Sequence, residues 1–493
     1  MTAAVLGTAP VPAPSPAPAP ARRRAGELAG LAAITLLGAV LRVYPSRSVW
    51  LDEAISVAQA RLPFGRMFHQ LMTDDLHPPL WGALLWLDVR LLGDGPMAIR
   101  VPSIVAGTAC VPLLYLLGRE LYDRRAGLVA ALIMAVTPLA VWYSGEARMY
   151  ALYLFWSILA LLGQARVLRR GGRGGWVLFV VGSAGMFYTH YFAVLQLCAQ
   201  HLIFAVAVAR GRLGGGRIRP LRRPWLLSMA ATALLCLPLA PYVLQQLAHG
   251  GRPGGAPATG TVSPYVVAAN LVWSLGGYHS DAQMTRLVAL WPIAMLLVLV
   301  LLGKGRSWAT SLLGAVVVVP VLGAFLVSVQ VRTFFEVRYF ISIVPALILL
   351  LARAATSWLA SARARVVAAA LIALTMLAGL ADEQFDRGNP RLYDYRAAFH
   401  YVEAQARPGD LLLYAPDYLT PVVDYYHPGL PSAPVQAGEP VPPAAGRILL
   451  LASFLDEPGT ADLAAATRTT LEQHGRTLRQ TRQWENVTLW ILR

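Results

Sequence analysis

Apolar runs of about 20 residues, the length that crosses a bilayer as a helix, recur along the chain between short gaps rich in arginine. They fall at 26–44, 98–118, 125–143, 147–167, 175–189, 191–209, 225–246, 284–302, 308–329, 339–352 and 364–381. The pattern predicts an all-α polytopic membrane protein with about eleven spans. Segment 78–92 is ambiguous: it is apolar, with Trp81 and Trp86, yet as a helix it reaches only roughly 22 Å.

Charge resolves that segment. If 78–92 lies flat, the gaps holding Arg119/Arg124/Arg125, Arg166/Arg169/Arg170/Arg173, Arg210 to Arg223, Lys304/Arg306 and Arg353/Arg363/Arg365 share one side with Arg22–Arg24. Together they hold 21 of the 42 basic residues, the excess that marks cytoplasmic segments. If it crosses, every later gap changes sides and the bias is violated. Segment 78–92 is therefore expected as a juxtamembrane helix within a first outer loop of about 45–97. The N-terminus is then cytoplasmic and the C-terminus extracytoplasmic.

The two ends read differently from the middle. Residues 1–24 are a Pro/Ala tract ending in three arginines, expected as a disordered cytoplasmic tail. The run at 26–44 is expected to remain a span rather than a cleaved signal peptide, because it is long and lacks a convincing small-residue cleavage site. Residues 25–381 form the transmembrane domain. Residues 382–493 hold 14 of the 26 acidic residues. With strand-like runs at 410–414, 447–453 and 487–492 and helix-like stretches at 394–406 and 460–474, they are expected as a small α/β domain. Two roles stay open for it: a structural cap over the outer loops, or acceptor recognition and gating.

Composition supports the membrane reading and excludes two others. With 56% hydrophobic and 14% charged residues, the chain has more apolar surface than one soluble core hides. The net charge of +16 does not indicate nucleic acid, since the basic residues lie in the gaps between spans and not on one soluble face. Cys110, Cys198 and Cys236 all lie in apolar runs, which supports neither disulfides nor a thiolate metal site. Glycine–arginine clusters such as 171–175 lack the phosphate-loop pattern, so no nucleotide-sugar site is expected.

Candidate chemistry gathers on the outer face. Asp52 and Glu53 stand just past the first span in Ser48–Ala54. Taken alone, Asp52 could be a helix N-cap. The same topology brings out His77, the turn Ser144–Tyr150 with Glu146 and Arg148, His190, and Glu336 with Arg338 and Tyr339. Each has a local explanation: a snorkelling arginine, a capping histidine, a self-neutralising Glu–Arg pair. Collected at one face, they suit an anionic lipid-linked substrate. A sugar on a polyprenyl phosphate needs a base for the acceptor hydroxyl and cations for the departing phosphate, which carboxylate and guanidinium supply.

Trp50-x-Asp52-Glu53, His77-Pro78-Pro79-Leu80, Ser144-x-Glu146-Ala147-Arg148-Met149-Tyr150-Ala151-Leu152, and Glu336-x-Arg338-Tyr339 before a Pro345-containing span resemble the bacterial branch of the protein O-mannosyltransferase family. That GT-C branch includes the aminoarabinose transferases of lipid A, and the resemblance covers about residues 30–380. It implies an inverting transfer with Asp52 as the base, Glu53 as its acidic neighbour and Glu146 as the second-loop acid. Arg148, His77 and Arg338 would meet the lipid phosphate, while Tyr150, Tyr339 and His190 would line the substrate site. In aminoarabinose transferases a lysine commonly stands where His77 stands, which tilts the expectation toward a neutral sugar such as mannose. No cofactor is implied. A divalent ion beside Asp52, Glu53, Glu146 and His77 would find suitable ligands, but a monophosphate donor does not require one. The expected partners are the bilayer, a polyprenyl-phosphate sugar, and an acceptor protein, glycolipid or wall glycan. The alternative is a lipid or glycan transporter, which would show internal repeats and mid-membrane ionisable groups; a non-catalytic lipid-binding scaffold is a second alternative.

Overall fold

A computed structural model describes residues 20–44, 47–73, 77–213, 216–217, 221–248, 275–277, 307–330, 336–357, 359, 361–386, 388–389, 391–437 and 444–493. Among these residues eight helices are long and apolar enough to cross a membrane, or nine counting one bent pair. Helix Arg173–Thr189, of 17 residues, adds a shorter one. Ten of the eleven expected spans thus coincide with helical segments, and 284–302 lies outside the described residues. The first helix, α1 (Pro20–Val43), starts inside the segment expected as a tail.

The segment expected as the first outer loop holds three short helices among its described residues: α2 (Leu51–Arg61), α3 (Phe64–Thr73) and α4 (Leu80–Leu92). At 13 residues, α4 reaches only about 20 Å, short of the hydrocarbon thickness of a bilayer. Its indole Trp86 Nε1 donates to Leu62 O at 3.1 Å and Arg90 lies 3.9 Å over the same ring, tying α4 back to α2. Helix α5 (Val101–Leu121) then begins the next span.

The bent pair is α6 (Arg124–Val136) and α7 (Pro138–Ser144), which meet at 57°. Pro138 has no N–H for the helix ladder and pushes Thr137 into extended backbone, φ −65 and ψ 118, so the helix must break there. Inside a membrane the freed carbonyls need new donors. Buried Arg42 on α1 supplies them, donating Nη1 to Ala135 O at 3.1 Å and Nη2 to Met134 O at 3.1 Å. Its Nε reaches Ser144 Oγ at 3.2 Å, which anchors the far end of α7 just before the turn that carries Glu146. Gly107 on α5 leaves room for this: a Cβ there would sit 1.9 Å from Ser144 Oγ.

The last long apolar helix runs to Phe385, so the C-terminal domain begins a few residues later than expected. It is built on five strands: β1 (Leu411–Ala415), β2 (Ser432–Pro434), β3 (Ile448–Ser453), β4 (Leu478–Trp484) and β5 (Val487–Leu492), in the order β2-β1-β3-β5-β4. β1 is parallel to β2 and β3, whereas β5 is antiparallel to β3 and β4. Every residue of β1 and β3 is buried, as expected of parallel strands covered on both faces. On one face Leu411, Leu413, Ile448 and Leu450 pack with Leu463 and Leu471 of helix Pro458–Gln473. On the other, Leu412, Tyr414, Leu449 and Leu451 join Phe399, Val422 and Val423 in a core continuous with the membrane helices.

That continuity seats the domain on the first outer loop. Tyr426 Oη accepts from Val49 N at 2.9 Å and donates to Val49 O at 3.2 Å. Ser48 Oγ donates to Asp394 Oδ1 at 3.0 Å, and Arg396 Nη2 donates to Arg47 O at 3.0 Å. Residues 47–49 are thereby fixed at the threshold of α2.

Candidate active site

Helix α2 has Trp50 as its N-cap, and Asp52 is its second residue. Asp52 therefore does not cap the helix, and its side chain is available for other contacts. It turns toward two arginines. Arg338 Nη1 donates to Asp52 Oδ2 at 3.2 Å, and Arg148 Nε lies 3.8 Å from the same oxygen. Asp52 Oδ1 makes no hydrogen bond among the described residues. Arg148 is further held by Ser56 Oγ at 3.1 Å, one turn along α2.

Glu53 departs from the expectation of a second reactive acid. It is 0% exposed, against 23% for the Asp52 side chain. Both its oxygens are taken: Oε1 accepts from Arg100 Nε and from Ala147 N, each at 2.7 Å, and Oε2 accepts from Arg100 Nη2 at 2.6 Å. The neighbour on a helix points about 100° away, so of two adjacent carboxylates one faces the cavity and the other the core. Glu53 joins α2 to α5 and to the Glu146 turn, and so aims Asp52.

The cavity in front of Asp52 has a volume of about 540 Å³, within the usual range for small-ligand sites. Its inner wall carries Trp50, Asp52, Trp142, Tyr143, Glu146 and Arg338; Tyr393, Tyr418, Phe454 and Glu457 of the outer domain line it too. A smaller cavity of about 240 Å³ adjoins it and shares Trp50, Trp142, Glu146, Arg391 and Tyr393. Glu146 stands between the two. Trp142 Nε1 donates to its Oε1 at 2.6 Å, Arg47 Nη1 lies 3.9 Å from that oxygen, and Oε2 is buried without a hydrogen bond among the described residues. Burial outweighs the attraction of Arg47, and Glu53 adds repulsion, so the carboxyl is raised from 4.5 to about 7.

A raised carboxyl binds its proton more tightly folded than unfolded, so this group's stabilising contribution is full below pH 4.5 and is lost as pH rises to about 7. Glu146→Gln is expected to flatten that part of the stability curve. Thermal midpoints of both proteins across the window check it, and an unchanged slope would rule out the assignment.

The remaining expected residues sit behind Arg148 and Arg338. Tyr150 is buried, with Arg338 5.9 Å over its ring, and Tyr339 is met by the same guanidinium at 5.9 Å. His190 is buried among aromatic rings, stacked on Tyr153 at 5.2 Å and tilted against Tyr339 at 5.1 Å. Burial, with His77 and the two arginines nearby, drives its pKa well below the usual value, so it is a neutral support for Tyr339 rather than a lining residue of the 540 Å³ cavity. His77 lies 6.0 Å from His190, beside a small recess it shares with Ser56 and Arg148. Among the described residues no three His, Cys, Asp or Glu side chains converge to hold a metal ion.

Residues 76–242 match the family described as dolichyl-phosphate-mannose-protein mannosyltransferase. YkcB of Bacillus subtilis, named as a mannosyltransferase, is 25% identical over 198 residues, 37% of this chain and 27% of its own length. The undecaprenyl phosphate-α-4-amino-4-deoxy-L-arabinose arabinosyl transferase of Pseudomonas aeruginosa is 30% identical over 162 residues, 32% of this chain and 28% of that protein. The chain thus matches little more than a quarter of the length of these curated relatives. In structure, ArnT from Cupriavidus metallidurans bound to undecaprenyl phosphate superposes with a TM-score of 0.59 at 13% identity, covering 94% of this chain and 98% of that one. The oligosaccharyltransferase AglB from Archaeoglobus fulgidus, in complex with an inhibitory peptide and a dolichol-phosphate, gives 0.53 at 14% identity, covering 90% and 71%.

The chain has the GT-C fold of ArnT and AglB. The family read from the four motifs is the one these comparisons return. Within the GT-C site, sequence reasoning missed Arg47, Arg100, Arg391, Tyr393, Tyr418, Phe454 and Glu457. Arg47 and Arg100 carried a signal, since on the expected topology both lie at outer ends of spans, against the positive-inside bias, where an arginine calls for a buried acid. Arg100 has Glu53 and Arg47 has Glu146. The residues from the outer domain had no signal of this kind, because the cavity is closed by elements hundreds of positions apart in the chain.

Proposed function

We propose that the protein transfers a neutral sugar, such as mannose, from a polyprenyl-phosphate carrier to an acceptor hydroxyl on the outer face of the membrane, with Asp52 as general base. The observation that carries this reading is the Asp52 carboxylate at the cavity wall, one oxygen against Arg338 and Arg148 and the other without a hydrogen bond among the described residues. In a single inverting displacement the acceptor oxygen bonds to the sugar's anomeric carbon as the carbon–phosphate-oxygen bond breaks. The acceptor proton passes to Asp52, and the electron pair leaves with the polyprenyl phosphate. Arg148 and Arg338 take the phosphate charge in the bidentate manner a guanidinium allows. That step is proposed to need no metal ion, because two arginines supply the cation a monophosphate leaving group requires.

The matching of ArnT bound to undecaprenyl phosphate and of AglB with a dolichol-phosphate supports a polyprenyl phosphate as the carrier here. The direct test incubates the purified full chain with radiolabelled polyprenyl-phosphate sugars and a total envelope extract. Label moving to an acceptor supports the proposal; no transfer with any donor sinks it. Arg148→Lys keeps the charge and loses the fork, so donor binding is expected to weaken by about tenfold. Wild-type donor affinity in that variant would remove Arg148 from the phosphate site.

The proposed orientation puts the outer domain and Asp52 outside the cell. With the native cysteines replaced, a cysteine at Arg479 is expected to react with an impermeant reagent from outside, and one at Arg125 only after the membrane is opened. The reverse pattern would overturn the orientation.

A further inference from the structure

Resting on the transferase reading above, we infer that the crevice at the carboxyl ends of β1 and β3 is the acceptor subsite, and that the acceptor it takes is a neutral sugar. β1 and β3 are adjacent and parallel, but the chain leaves them in opposite directions. After β1 it passes through helix Thr420–Tyr426 to β2 on one side; after β3 it passes through helix Pro458–Gln473 to β4 on the other. Those helices pack on opposite faces of the sheet, one with Leu412 and Leu449, the other with Leu411 and Leu450. In open α/β sheets such a reversal opens a crevice outside the strand ends, and ligands bind there. Here the loops after β1 and β3 carry Tyr418, Phe454 and Glu457, and all three line the cavity that contains Asp52.

The backbone adds an independent sign. Phe454 has φ +56, a left-handed conformation that is a genuine outlier for a bulky residue and is held where the surroundings demand it, most often at binding sites. The strain puts its ring 4.8 Å from that of Tyr393 and 5.6 Å from that of Tyr418. The result is an aromatic wall with one polar group at its edge, Glu457, whose Oε2 accepts from Tyr418 Oη at 3.0 Å.

Charge selects the ligand class. Arg338 marks the Asp52 end of the cavity, with Glu336 3.8 Å from it, whereas the C-terminal domain contributes Glu457. Arg391, which also lines the cavity, is neutralised by Glu383 at 2.7 Å. An anionic acceptor would meet the Glu457 carboxylate at the aromatic end. A peptide could not dock here by adding a strand, because β1 and β3 are interior strands with both edges paired. A neutral sugar fits both features: its C–H faces lie on the rings and its hydroxyls donate to a carboxylate.

The test uses the full chain in detergent micelles and isothermal titration with a neutral disaccharide, methyl α-mannobioside, against an uncharged Ser/Thr peptide. The disaccharide is expected to bind, and Phe454→Ala and the surface variant Tyr418→Ala are each expected to weaken it by about tenfold, with thermal midpoints near wild type for Tyr418→Ala. If the disaccharide fails to bind, if the peptide binds in its place, or if both variants bind it as wild type does, the subsite is refuted. The two readings separate cleanly. Ring-dependent disaccharide binding without sugar transfer from any donor keeps the subsite and removes the transferase; transfer to peptide at wild-type rate in both variants does the opposite.

Discussion

Asp52→Asn is expected to lower turnover by roughly 10²–10⁴, the range for losing a general base, while the carrier lipid still binds. The substitution is nearly isosteric and leaves Trp50 as the cap of α2, so the helix should be unaffected. Donor affinity should hold or rise, because Arg338 and Arg148 lose the carboxylate that occupies them at 3.2 and 3.8 Å and meet the phosphate without that competitor. Turnover and polyprenyl-phosphate binding measured on one preparation decide the matter. Near-wild-type turnover would remove Asp52 as base, and loss of both quantities together would show that the variant had merely lost its site geometry.

The second large effect is on stability. Arg100→Ala strands Glu53 as a buried charge with no cation beside it, and breaking a buried pair from one side costs about 3–5 kcal/mol. Arg100 also donates to the carbonyls of Arg47 and Ser48 at 2.9 and 3.0 Å, so the threshold of α2 loosens with it. The thermal midpoint and the folded yield in detergent should fall sharply. Adding Glu53→Leu should restore much of the stability, since it removes the stranded ion. Should the single variant melt as wild type does, or the double variant melt no higher than the single, the buried pair is not what fixes this loop.

Legibility in the sequence followed physical scale. Spans were plain because bilayer thickness imposes a length, and the flat placement of α4 followed from arginines that each independently prefer one side. β1, β3 and β5 could be read from their Leu/Ile/Val runs. β4 could not, because Leu478–Trp484 is an edge strand with Arg479 and Arg482 facing solvent and lacks apolar alternation. Asp52, Arg148 and Arg338, which the structure brings together, could be singled out because the expected reaction calls for those residue types. The different fates of Asp52 and Glu53 were not readable, since a helix start displaced by one or two residues exchanges which acid faces the core. His190 was misplaced for a related reason: its position beside a loop suggested access, whereas Tyr153 and Tyr339 enclose its ring.

The seating of Val49 on Tyr426 sets a clock. The two residues are 377 positions apart, and a ribosome adding about 5–20 residues per second needs roughly 20–75 s to travel that far. Throughout that interval the Asp52 loop has left the membrane helix but lacks the domain that immobilises residues 47–49. The seating of residues 47–49 therefore waits until Tyr426 has been made. A nascent chain, or one whose last strands are lost, carries every motif of the membrane domain and still has no closed site in which to use them.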